Sequence, residues 1–75
     1  MIELFGTASC PYTRDAREWL ELRGVEFVEH DVEEDAAARE TWRAHAGAAR
    51  IVPVVVENGR VTRLGWQGRG CAIGD

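Results

Sequence analysis

The run Ile51-Val52-Pro53-Val54-Val55-Val56 constrains this chain more than any other segment. Apart from the proline every residue in it is β-branched, so it reads as a buried strand. Proline cannot donate to a strand ladder. Pro53 is therefore expected among the first residues of that strand, where a cis Val52–Pro53 bond would give it a use no plain strand residue has. Glu57-Asn58-Gly59-Arg60 follows with Asn-Gly at the centre of a hairpin turn, and residues 60–64 return as the antiparallel partner.

The residues before this run supply a second set of elements. Ile2-Glu3-Leu4-Phe5-Gly6 is a short apolar run ending in glycine and reads as a buried strand at or near the sheet centre. Pro11 at a first helical position and Gly24 past the last turn bracket a helix that ends at Leu22. Its spacing predicts an inward face of Thr13, Ala16, Trp19, Leu20 and Arg23. Residues 25–32 alternate in part and read as a charged edge strand. Residues 34–46 hold strong helix formers, with Trp42 as the anchor and Glu33-Glu34-Asp35 matched to the positive end of the helix dipole. The order is β-α-β-α-β-β, which implies a parallel crossover followed by an antiparallel hairpin in one mixed sheet. Residues 65–75 carry four glycines and read as loop with one helical turn.

Size limits what else is present. The chain has 75 residues, and a second core would need roughly 50 more, so residues 1–75 form one domain with a Gly-rich tail over 66–75. The longest apolar run has six residues, against about 20 for a membrane span. Met1-Ile2-Glu3-Leu4-Phe5 lacks the features of a secretory signal, so a cytoplasmic location is expected. All nine cationic side chains are arginine and the net charge is −4. An acidic chain without a basic stripe is a poor partner for nucleic acid.

Two cysteines, Cys10 and Cys71, are too few for a disulfide scaffold, and cytosolic thiols are normally reduced. Reactivity is the better question. Cys10 falls where the first strand has ended and the first helix begins. The unpaired N–H groups and partial positive charge of a helix N-terminus favour thiolate over thiol, so a lowered Cys10 pKa is expected. Thr13 is placed to turn its hydroxyl and N–H toward the sulfur, and Arg14 adds a full positive charge. His30 and His45 share no metal-ligand spacing with the cysteines, and no metal is expected. His30 is expected to cap its strand, and His45 to be solvated. Trp19 and Trp42 read as core. Trp66 beside Gly65 is placed to line a substrate groove, and Arg50 to hold a substrate carboxylate.

Cys10-Pro11-Tyr12-Thr13 after a short strand, Val52-Pro53 before a second strand and the Asn58-Gly59 hairpin together resemble the glutaredoxin branch of the thioredoxin fold over residues 1–66. The resemblance implies an α/β thioredoxin fold: a four-stranded mixed sheet with helices on both faces and the final helix short or absent. It also implies that Cys10 is the nucleophile, that Pro11 and Tyr12 shape its rim, and that Val52-Pro53, the proline cis, offers backbone groups to a thiol peptide beside the sulfur. The motif is similar to that of a bacterial group in which the first position can be selenocysteine.

Three departures from the family pattern bear on mechanism. Thr13 replaces the second active-site cysteine, so no local Cys-x-x-Cys bridge can form. Thr7 stands where the family often has lysine, and Gly65-Trp66-Gln67-Gly68 replaces a glutathione-holding Gly-Gly-x-Asp. The usual final helix gives way to the tail bearing Cys71. That cysteine reads either as a resolving thiol, provided its Cα can come within about 7 Å of that of Cys10, or as a spare thiol in a loose tail.

The function implied is thiol–disulfide exchange through Cys10, resolved by glutathione or by Cys71. The partners expected are a small or protein disulfide substrate and a donor, either glutathione or a thioredoxin-reductase-like protein, with no resident cofactor and a monomeric state. The alternatives are a glutathione-dependent [2Fe–2S] cluster carrier and an inactive thiol-peptide binding module.

Overall fold

The computed structural model describes residues 1–74; Asp75, the last residue of the predicted tail, lies outside the described residues. Its elements are β1 (Ile2–Gly6), α1 (Pro11–Leu22), β2 (Val28–Asp31), α2 (Ala36–Ala46), a single 3-10 turn (Gly47–Ala49), β3 (Ile51–Val52), β4 (Val54–Glu57), β5 (Arg60–Leu64) and β6 (Cys71–Ala72). The main sheet runs β2-β1-β4-β5, with β2 parallel and β4 antiparallel to β1, and β5 antiparallel to β4. This is the expected mixed sheet, with β1 inside it and β2 at one edge.

Period-two alternation divides the core between the two faces. Phe5, Val54 and Val56 pack with Ala38, Trp42 and Ala46 of α2. Leu4 and Val55 pack with Ala16 and Leu20 of α1. The helices thus cover opposite faces, and Thr13, Ala16 and Leu20 are buried as their spacing predicts. Arg23 is not inward. It sits one residue past α1, where no core remains to enter, and lays its guanidinium over the Trp19 ring at 4.5 Å. Trp19 is half-buried and meets Trp66 edge-on.

β2 is shorter than the alternating pattern over 25–32. Its pairing with β1 starts at Glu3↔Val28, and Val25 and Phe27, before the ladder, pack against the α1-side core instead. Arg17 of α1 grips Glu29 of β2 through two 2.7 Å bonds. The acidic run before α2 meets expectation in part. Asp31 accepts from the Glu33 and Glu34 N–H groups, and Asp35 is the N-cap, accepting from Ala38 N at 3.1 Å. Asp35 thus matches the positive end of α2 as expected, from the cap and not from within the first turn, whereas Asp31 holds the turn before it. His30 pairs with Glu3 at 3.0 Å and stacks on Phe5 instead of capping its strand, and His45 is half-buried beside the same ring rather than solvated.

The apolar run over 51–56 is not one strand. Pro53 has no N–H to give, the ladder breaks there, and residues 51–52 leave the main sheet to pair with β6. Residues 54–57 stay in the main sheet, and the Val52–Pro53 bond is cis. Asn58 and Gly59 take φ of 52° and 79°, the double left-handed turn that Asn-Gly favours. The tail makes a second such turn. Gln67 and Gly68 have φ of 52° and 77°, and Trp66 and Arg69 exchange both backbone hydrogen bonds across them. The Gly-rich segment therefore folds back as a tight reversal leading into β6, not as loop with a helical turn.

Gly6, the last residue of β1, lies directly under the Thr13 side chain, which occupies the space a Cβ would take. Gly6→Ala is expected to lower unfolding stability by about 1–3 kcal/mol through overpacking. Adding Thr13→Ala should restore most of the loss, as read from denaturant midpoints of the two single variants and the double variant.

Candidate functional site

Cys10 is the N-cap of α1, with extended backbone angles, and Thr7-Ala8-Ser9 turns the chain from β1 into it through a Cys10 N–H bond to Thr7 O. Pro11 has no N–H, and the next two backbone donors, on Tyr12 and Thr13, belong to the first helical turn, where no intrahelical acceptor exists. They leave partial positive character at the helix end that Cys10 caps, although the Cys10 side chain accepts no capping hydrogen bond. The sulfur lies 3.9 Å from Val52 O, so the residue before Pro53 flanks it from β3. β3 is itself fixed from behind by the Trp42 indole N–H, which donates to Ile51 O at 2.9 Å.

Cys10 and Cys71 are joined in a disulfide, with Cα atoms 6.1 Å apart across 61 residues of sequence. Val52 pairs with Cys71 and Ile51 with Ala72 in the short β3–β6 ladder, and Ile73 N–H donates to Arg50 O at 2.9 Å. Arg39 reaches from α2 to Gly74 O at 2.8 Å. The tail thus crosses the mouth of the site as an extended strand. Cys10 beneath it is only 2% exposed.

The other expected site residues divide. Pro11 is exposed and Tyr12 half-buried at the rim, touching both core clusters. Val52 and Pro53 are buried against the sulfur's surroundings. Thr13 is fully buried, but its Oγ1 makes no hydrogen bond among the described residues, so in the disulfide form it does not reach Cys10. Arg50, with a left-handed φ of 47°, contributes its carbonyl to Ile73. Gly65 donates to Pro53 O at 2.8 Å and turns the chain out of β5, with φ of 85°. Trp66 is 7% exposed and belongs to the α1-side core rather than to an open groove. Its indole offers more apolar area than a five-residue strand edge can leave uncovered in so small a domain.

Ile51, Gly70, Ala72, Ile73 and Arg39 shape the site and were not singled out from sequence. Only the apolar Ala72-Ile73 pair inside a Gly-rich tail carried a signal that this segment docks. Two shallow cavities, of about 190 and 320 Å³, are lined by residues of β1, β2, α2 and the N-terminus, and Cys10 lines neither. Among the described residues no cluster of metal-ligating side chains occurs, and no helix is long and apolar enough to cross a membrane.

Fixing the backbone of each tail residue costs about 1–2 kcal/mol, whereas a hydrogen bond returns a net of about 0.5–1.5. Hydrogen bonds alone therefore hold the tail weakly, and the covalent link and the packing of Cys71 and Ile73 on the core add to them.

The glutaredoxin family model matches residues 2–62. A glutaredoxin-like 8.6 kDa protein of the rubredoxin operon of Clostridium pasteurianum is 30% identical over 61 residues, 81% of this chain and 80% of that protein. A probable glutaredoxin of Synechocystis is 35% identical over 54 residues, covering 72% of this chain and 61% of its own length. Among solved structures, a mutant of the thioredoxin-like protein BC3987 superposes with a TM-score of 0.74 at 34% identity, over 88% of this chain and 82% of that one. A glutaredoxin from Archaeoglobus fulgidus superposes at 0.73 with 24% identity, over 88% and 75%, which speaks to the fold alone.

Removing the Cys10–Cys71 link by reduction is expected to lower unfolding stability by about 4 kcal/mol, the loop-closure value for a ring of this size. Urea titrations with and without a thiol reductant measure it.

Proposed function

This chain belongs to the glutaredoxin family, and we propose that it is a single-domain, monomeric thiol–disulfide oxidoreductase in which Cys10 attacks and Cys71 resolves. The observation that carries the reading is the disulfide between a helix N-cap cysteine and a tail cysteine held opposite Val52. It supports the resolving role of Cys71 over that of a spare thiol.

In the dithiol form the Cys10 thiol would lose its proton below the ordinary cysteine range, because the helix N-terminus stabilises the anion. Its thiolate attacks one sulfur of a substrate disulfide. A Cys10–substrate bond forms, the substrate's own S–S bond breaks, and its other sulfur leaves as a thiolate. The Cys71 thiolate then attacks Cys10 Sγ and expels the remaining substrate sulfur. The substrate gains two electrons and two protons as two thiols, and the protein ends as the Cys10–Cys71 disulfide.

Two equivalents of a donor thiol such as glutathione, or a reductase of the thioredoxin-reductase type, restore the dithiol. Such a cycle belongs in a reducing compartment, the cytoplasm. Proton release from the reduced site favours attack at higher pH up to the Cys10 pKa and is lost below it, since only the thiolate reacts. Thr13, buried next to Cys10 with an unbonded hydroxyl, has a donor to offer the thiolate once the disulfide opens. The Cys-Pro-Tyr-Thr sequence fits this chemistry, with the second thiol of the family motif moved from residue 13 to residue 71.

Intact mass after exposure to glutathione disulfide tests the assignment. Wild-type protein should lose two hydrogens and keep no adduct, whereas Cys71→Ser should accumulate a single glutathione adduct on Cys10. Cys10→Ser should exchange at least about 100-fold more slowly, because Cys71 lacks the helix N-terminus that activates Cys10. A glutathione adduct that persists on wild-type protein would overturn the resolving role of Cys71, and an unmodified wild-type dithiol would overturn exchange altogether.

A further inference from the structure

Opening the disulfide leaves two thiols facing each other, and their backbone positions do not rest on the S–S bond alone. Cys10 is fixed as the N-cap of α1, and Cys71 is held by the β3–β6 ladder, where it pairs with Val52. The Ile73 N–H on Arg50 O at 2.9 Å secures the far side of Cys71. The two Cα atoms stand 6.1 Å apart. Metal–thiolate bonds are about 2.3 Å long, so a linear S–metal–S unit sets its sulfurs roughly 4.6 Å apart. Two cysteines at this separation reach that span by turning about χ1.

The surroundings select the ion. Among the described residues no third histidine, cysteine, aspartate or glutamate joins the pair. Cys10 is buried in an apolar cluster with Phe5, Trp42 and Val52, against which Tyr12, Cys71 and Ile73 pack. The pair therefore offers a cation two sulfurs and an apolar wall. Zinc, which takes four ligands, is left half-coordinated there. Copper(I), a soft ion that thiolates select, is satisfied by two of them. Two thiolates around one copper(I) leave a single negative charge, which the partial positive end of α1 stabilises.

We propose that the reduced Cys10–Cys71 pair is a two-coordinate copper(I) site. The inference goes beyond the exchange reaction and rests on the juxtaposition of the cysteines, not on which of them attacks a substrate. Binding forms two Cu–S bonds and releases both thiol protons to solvent; copper stays copper(I), and nothing is oxidised or reduced. Disulfide and ion need the same sulfurs. The oxidised protein has no site for copper, and the loaded protein has no free thiolate with which to attack a disulfide, so each state excludes the other.

The test titrates full-length protein, reduced and freed of reductant, into the coloured copper(I)–bicinchoninate complex in the absence of oxygen. The wild-type dithiol should withdraw one copper per chain, read as loss of colour, and the pre-oxidised disulfide form should withdraw none. Cys71→Ser and Cys10→Ser should each bind at least about 100-fold more weakly, because the chelate gain of the second thiol is lost. X-ray absorption of the loaded wild type should show two sulfur neighbours around copper.

Undiminished binding by either serine variant, a copper shared between two chains on gel filtration, or displacement of the copper by equimolar zinc sulfate would overturn the site. So would a wild-type dithiol that leaves the colour unchanged. That result would not touch the exchange chemistry, which the mass assay with glutathione disulfide reads without metal. Conversely, intact copper binding by a protein inert to glutathione disulfide would overturn the proposed function alone.

Discussion

Everything at the site depends on the missing N–H of Pro53. A valine there would carry the β-branched run through as one strand of the main sheet, and residues 51–52 would have no separate edge to offer. With proline in place the ladder stops, β4 continues between β1 and β5, and β3 stands apart beside the start of α1. The Trp42 indole then takes Ile51 O, so the detached pair is held by α2 and not by the sheet. The separation of β3 from the main sheet, and with it the edge beside Cys10, follows from this one residue.

Much of this was legible in the chain because it rests on local rules. The apolar runs at Ile2–Gly6 and over residues 51–56 mark buried strands, Pro11 and Gly24 bracket α1, and Asn58-Gly59 fixes its hairpin. Cys10 at the strand-to-helix junction and Val52-Pro53 carried the family resemblance, and both cysteines were among the candidates. What was missed needs partners distant in sequence. Residues 25–27 look like strand, but Val25 and Phe27 turn into the α1-side core instead of the ladder. Trp66 looks like groove beside a glycine, but a core this small absorbs a large aromatic ring at once, and Trp19 and Leu20 are there to receive it. The tail looks like loop because glycines hide its pairing; only the β3 edge, created by Pro53, tells Cys71 and Ala72 what to do.

The departures from the family pattern compensate one another. The second thiol of the usual motif is gone from residue 13, and its position is filled by a buried threonine that fits because residue 6 is glycine. The only other cysteine lies on the tail, and the hairpin at Gln67-Gly68 brings it into a disulfide with Cys10. The same tail covers Cys10, and in the proposed cycle it would also supply the resolving thiol.

The anchoring of Trp66 in the core has a kinetic meaning. Between that fixed point and Cys71 lie only four residues, two of them glycine. A flexible chain of this length spans about 12 Å on average, which confines the undocked thiol to a small volume around the mixed disulfide. Its effective concentration there is at least in the millimolar range. In the proposed cycle a small thiol in bulk solution would have to exceed that figure to reach Cys10 first, so the length of the tether would set the boundary between a two-cysteine and a one-cysteine cycle.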